Sequence, residues 1–158
     1  MLNNTQSLIK IKQLLDDFSV YKYTDDGTAE AQIEADLITI SEEVYLNEMI
    51  KIISPSAYET IQATPFTDYT ANWKRLFYAE CYFIASKFLQ LFALRYETDM
   101  YKSTLDLNSR TIGVEKSGKL YTADEYLRTA RANVTEYQHE YNSIISLDNK
   151  RSFRINRY

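Results

Sequence analysis

Glycine, proline, cysteine and histidine are nearly missing from this chain: its 158 residues include three Gly, two Pro, one Cys and one His. Each shortage excludes something. One cysteine permits no internal disulfide framework and no cysteine-based zinc site. One histidine leaves few metal or acid–base constellations. Three glycines argue against a Gly-rich phosphate loop and against a sheet with many tight turns. No serine elbow, phosphate loop or zinc pattern occurs. These absences favour an α-helical protein, point away from an enzyme and call for no cofactor.

What is present is ordinary for a soluble globular domain: 45% hydrophobic and 25% charged residues, with a formal net charge of −4. The length suits one domain with a proper core. Fourteen Tyr and seven Phe serve either core and rim packing or an interface. The opening MLNNTQSLIKIK has no long apolar run ending in small residues, so it does not read as a signal peptide, and cytosolic synthesis is expected. Leu76 to Leu94 is apolar at fifteen of nineteen positions, but Glu80, Ser86, Lys87 and Gln90 interrupt it. A charge at mid-membrane costs several kcal/mol, so this tract reads as a helix buried by protein, with no membrane partner.

Four helical tracts emerge from the apolar spacing. The first covers about Thr5 to Phe18, with Leu8, Ile11, Leu15 and Phe18 in one stripe. After the turn signal Asp25-Asp26-Gly27, the second covers about 28 to 53 through Ile33, Leu37, Ile40 and Val44, with Tyr45, Met49 and Ile52 on a neighbouring line. A break near Thr39 to Ser41 would make it two helices. Ser54-Pro55 stops it, and Pro55 opens a short helix with Ser56 and Glu59 at capping-box spacing. The third, about Asp68 to Met100, carries Trp73, Phe77, Cys81, Ile84, Phe88 and Leu91 and is the central helix. Ser103 to Tyr121 lacks helical periodicity. Within it, Thr111 to Glu115 and Lys119 to Tyr121 flank Lys116-Ser117-Gly118, which reads as a hairpin with Gly118 supplying a positive φ. Thr122 and Glu125 form a capping box before the fourth tract, whose stripe is Leu127, Ala130, Val134, Tyr137, Tyr141 and Ile144. The expected fold is all-α: an antiparallel helical bundle with a long central helix and one small β-hairpin at about 111–121. Residues 1–147 form a single helical domain and 148–158 a basic C-terminal arm.

Candidate chemistry is sparse. Glu136 and His139 have the spacing of a di-iron bundle motif, but that site needs two such motifs and further Glu residues; a solvated or interface His139 is the simpler reading, and no metal is expected. Cys81 sits among apolar residues and reads as structural. Glu80 is the odd carboxylate. A catalytic acid needs a partner that the sequence does not supply, so Glu80 is expected to face a groove or another subunit.

Charge placement says more. Asp25 to Glu48 contains eight acids (Asp25, Asp26, Glu30, Glu34, Asp36, Glu42, Glu43, Glu48) and no Lys or Arg. Asp148 to Tyr158 contains four basic residues and one acid, a net +3 that leaves about −7 on the rest. An acidic helix face and a basic, aromatic-dotted tail are complementary. Copies so built associate head to tail, and such a contact closes into a ring where the rotation allows. The plain alternative is a solvated face and a frayed tail. A second functional class is a small nucleic-acid-binding or regulatory protein. There Arg151, Arg154 and Arg157 would meet phosphates, and Phe153 and Tyr158 would stack on bases.

The layout resembles the head-to-tail connector, or adaptor, proteins of tailed bacteriophages. The likeness covers roughly residues 5 to 147. It rests on the opening helix around Leu8 to Phe18, the turn Asp25-Asp26-Gly27, the acidic helix ending in Glu43-Val44-Tyr45-Leu46-Asn47-Glu48-Met49-Ile50, the central helix Trp73 to Leu94 and a final helix. No diagnostic motif is involved, and the basic tail departs from the part that matches. The resemblance implies a virion protein at the portal–tail junction, made in the host cytoplasm. It would form a ring, often of twelve copies, that binds the portal protein and tail proteins, with incidental contact to packaged DNA. Arg151, Phe153, Arg154, Arg157 and Tyr158 would be the docking arm. Ile112, Val114 and Leu120 of the hairpin, with Glu30, Glu34, Glu42 and Glu43, would face neighbouring subunits.

Overall fold

The computed structural model describes residues 1–15, 29–92, 104–106, 109–111, 113–116 and 119–155. The fold is all-α. Helix α1 spans Asn4–Leu15, α2 Ala29–Val44, α3 Ile50–Ile52, α4 Pro55–Ala63, α5 Ala71–Phe92 and α6 Ala123–Ile155. A π turn at Tyr45–Met49 joins α2 to α3, and a 3₁₀ turn at Phe66–Asp68 precedes α5.

The central stripe packs as its spacing predicts. Phe77, Cys81, Ile84 and Phe88 of α5 are buried, with Leu76 and Phe83 beside them. Against them lie Ile11 and Leu15 of α1, Ile33, Leu37, Ile40 and Val44 of α2, and Tyr126, Ala130 and Tyr137 of α6. Helices α5 and α6 make the most extensive pair and run antiparallel. Ser86 Oγ near the end of α5 donates to the Ala123 carbonyl at the start of α6 at 2.7 Å. Arg75 near the start of α5 meets Glu136 and Glu140 far along α6. The sequence stripe on α6 is half right: Ala130 and Tyr137 are buried, whereas Tyr141 is 52% exposed.

Several boundaries differ from the expectation. Helix α2 passes through Thr39 to Ser41 without a break, and the irregularity falls later, at the π turn. Val44 and Met49 are both buried, and their five-residue spacing fits the i→i+5 bonding of a π turn. Ser54, not Ser56, caps α4: its Oγ accepts from the Ala57 amide at 3.3 Å. Pro55 occupies the first helical position, so the residue before it takes the extended cap conformation. The capping box at Thr122 is present: the Glu125 amide donates to Thr122 Oγ1 at 3.2 Å, and the Thr122 amide to Glu125 Oε2 at 3.0 Å.

The expected hairpin is the antiparallel pair β3 (Gly113–Lys116) and β4 (Lys119–Thr122), in which Val114 faces Tyr121 in register and Glu115 faces Leu120. A further short ladder, β1 (Thr104–Asp106) with β2 (Ser109–Thr111), precedes it; its three-residue strands carry too little alternation to be read from sequence. The turn Asp25-Asp26-Gly27, Phe18, Leu94, Ile112 and Gly118 lie outside the described residues.

Candidate functional site

Glu80 occupies the centre of the bundle. It lies one helical turn from Leu76 and from Ile84, on the buried side of α5, and has no exposed surface. A carboxylate there requires partners, and three converge on it. The Leu2 amide donates to Oε2 at 2.7 Å, and the Tyr58 hydroxyl of α4 donates to Oε1 at 2.5 Å. The Met1 nitrogen stands 4.0 Å from Oε1. A second ring supports the same segment. The Tyr69 hydroxyl is shared between the carbonyls of Ile61 at 2.9 Å and Leu2 at 3.1 Å. Gln62 Nε2 donates to the Met1 carbonyl at 2.9 Å.

Burial pushes the Glu80 carboxyl above the usual carboxylate range, and the Met1 ammonium, Tyr58 hydroxyl and Leu2 amide pull it partly back. Burial and then the Glu80 charge push the Tyr58 phenol up, so Tyr58 stays a donor. Glu80 therefore faces neither a groove nor another subunit: it fastens residues 1–2 and α4 onto α5. Its partners come from segments 78 and 22 positions away, which is why no local pattern disclosed them. The one sequence signal was a lone acid inside an apolar run.

The other candidates separate. Cys81 is buried and free, and burial raises its thiol pKa, which keeps it an unreactive thiol. Glu136 is an ion-pair partner of Arg75 Nε at 3.2 Å, and His139 is exposed. Among the described residues no group of three His, Cys, Asp or Glu could hold a metal ion. No helix among them is long and apolar enough to cross a membrane. A cleft of about 380 Å³ lies between Leu14, Tyr82, Tyr121, Tyr126 and Arg128. It is walled by tyrosines, with Tyr121 and Tyr126 stacked at 6.0 Å and the Tyr126 hydroxyl donating to the Leu14 carbonyl at 2.5 Å. Neither Cys81 nor His139 lines it.

The charged surfaces hold the remaining candidates. On α2, Glu34 pairs with Lys12 of α1 at 3.5 Å and Glu43 with Lys87 of α5 at 3.7 Å. Glu42 is exposed, and Glu30 lies in the first turn of α2. The acidic line is therefore partly neutralised by its own subunit, through exposed pairs worth about 0–1 kcal/mol each. Arg151, Phe153 and Arg154 lie in the last turns of α6, which continues to Ile155 without interruption at 147; Arg157 and Tyr158 lie outside the described residues. Val114 and Leu120 belong to the β3–β4 ladder on opposite strands.

The length of α6 is the feature the sequence reading missed. It has 33 residues against 22 in α5. With Ala123 beside Ser86 and Glu140 beside Arg75, the antiparallel register brings the start of α5 level with about residue 141. Residues 142–155 therefore run past it, over about 20 Å at 1.5 Å per residue. Comparison of the chain with protein-family models, with curated proteins and with solved structures finds no match.

Proposed function

We propose that the chain is a structural virion protein: a head-to-tail connector subunit that forms a ring, binds the portal protein and joins it to tail proteins. The reading involves no catalytic step and no cofactor. The observation that carries it is the length of α6, whose last turns run past the start of α5 and bear a net positive charge. A basic helix end on an otherwise acidic chain is suited to assembly. Glu80, the one carboxylate inside the apolar core, is spent on fastening the fold. The extension and the β3–β4 ladder, with Val114 and Leu120, are the surfaces offered to neighbouring copies and to the portal. Twelve copies is the number the family likeness suggests. The working location is the portal–tail junction, where the basic residues also lie within reach of packaged DNA.

The test combines the purified protein with the portal protein encoded in the same genome. Light scattering should give a ring-sized mass, alone or on the portal, and electron microscopy should give closed rings. A protein that stays monomeric and ignores the portal at every concentration defeats the reading. The basic end of α6 also favours a second reading, nucleic-acid binding. That reading requires affinity for DNA or RNA that falls steeply with salt, and absence of binding at low salt removes it.

A further inference from the structure

The outer face of α2 and α3 carries three large apolar side chains in the open. Ile38 is 52% exposed, Leu46 60% and Ile50 39%. With Glu34 and Glu42 they recur every four residues along the outer face. Residues four apart are neighbours on a helix surface. In a continuous α-helix such a line drifts about 40° per step; the wider π turn at Tyr45–Met49 takes back drift before Ile50. The result is a strip about 24 Å long that alternates acid and hydrocarbon. Its opposite side holds the buried Ile33, Leu37, Ile40 and Val44, so burial within the subunit already uses the other face. Isolated exposed apolar residues are ordinary; three along one helix face are what a docking partner could cover.

We infer that this strip is the docking site for the C-terminal end of α6 from a second copy of the chain. Charge complementarity selects the occupant. The strip's own acids are Glu42 and Glu34, the latter also paired with Lys12, within a stretch from Ala29 to Ile50 that holds six acids and no Lys or Arg; residues 148–158 hold Lys150, Arg151, Arg154 and Arg157 against Asp148 alone. The same segment brings Phe153, Ile155 and Tyr158 for the hydrocarbon part of the strip.

Geometry requires the second copy. The Glu43–Lys87 pair puts the middle of the strip level with Lys87 of α5, and Tyr45, packed on Tyr58 at 4.7 Å, sets the Ile50 end nearer Glu80. The end of α6 runs past Ala71, some 16 residues or about 24 Å along α5 from Lys87. An unbroken helix pointing away from that end does not return to its own α2. The Glu34–Glu42 half of the strip and the end of α6 therefore lie toward different ends of α5, which suits a head-to-tail contact. This inference rests on the ring reading for its partner, and it assigns the α6 end to a neighbouring copy, leaving the portal to other surfaces.

The test is a charge swap on the full chain, read by light scattering over a concentration series, with and without the portal protein. Glu42→Lys on the strip and Arg154→Glu on the extension are each expected to weaken self-association at least about tenfold. The two together are expected to restore it. Helical content, checked by circular dichroism, stays unchanged because Glu42 is exposed and unneeded by the core. Copies that associate equally well with either single reversal overturn this contact and leave the ring reading standing. A wild-type chain that never associates, with or without portal, defeats both. Reversals that weaken binding without recovery in the double variant also overturn it, because each surface would then have a different partner.

Discussion

A fully buried carboxylate with its pKa raised by burial makes the folded state hold a proton that the unfolded chain has released. Below the ordinary value of 4.5 both states are protonated, and the stability associated with Glu80 is fully present. As pH rises through the higher folded-state value, that contribution is lost. Glu80→Gln keeps an acceptor near the Leu2 amide and removes the titration. The difference between wild-type and Glu80→Gln urea midpoints is therefore expected to shift toward the variant as pH rises from 4 to 8; parallel curves would show that Glu80 titrates alike in both states. Tyr58→Phe removes a donor that lowers the Glu80 pKa. It is expected to cost about 2 kcal/mol and to steepen the same pH dependence, readable from the same urea series. Only the oddity of Glu80 was legible in the sequence. Its role depends on Leu2, Tyr58 and Tyr69, which meet it through the fold and not through any local spacing.

The helices themselves were largely legible, because their signals are local. The α5 stripe and the Thr122–Glu125 box both appear as spacing alone. The box also joins β4 to α6, so it fixes where the ladder ends and the helix begins. Thr122→Ala removes the hydroxyl acceptor for the Glu125 amide. It is expected to cost about 1 kcal/mol, measured as a drop in the urea midpoint at unchanged slope. Arg75→Ala at the other end of the α5–α6 pair is expected to cost less than about 1 kcal/mol, because Arg75, Glu136 and Glu140 are all substantially exposed. The π turn had no readable signal, because it depends on burying both Val44 and Met49 against neighbours from other elements. Ser54 as cap was legible, since a proline at the first helical position makes the residue before it the cap. A Ser-x-x-Glu spacing at 56–59 satisfied the pattern, but the proline fixed the helix start one residue too early for it.

At the scale of the whole molecule, the charge split between residues 25–48 and 148–158 was readable as composition, but its geometry was not. Only the relative lengths of α5 and α6 show that the basic end runs past the start of α5, remote from Glu43 and Lys87. Two surfaces toward different ends of α5 give a contact that repeats indefinitely unless the rotation between copies closes it. Closure and open growth differ in their mass: a ring reaches a fixed value that further protein does not raise, whereas a filament lengthens with concentration. The connector reading expects the fixed value. Truncation after Asp148 separates assembly from folding. The deleted segment carries the four basic residues at the end of the chain. The truncated chain is expected to lose the helical signal of residues 149–155, to keep its melting temperature within a few degrees, and to remain monomeric. A large fall in melting temperature would mean that the end of α6 packs on its own bundle, and an unchanged assembly mass would mean that copies join through the β3–β4 ladder instead.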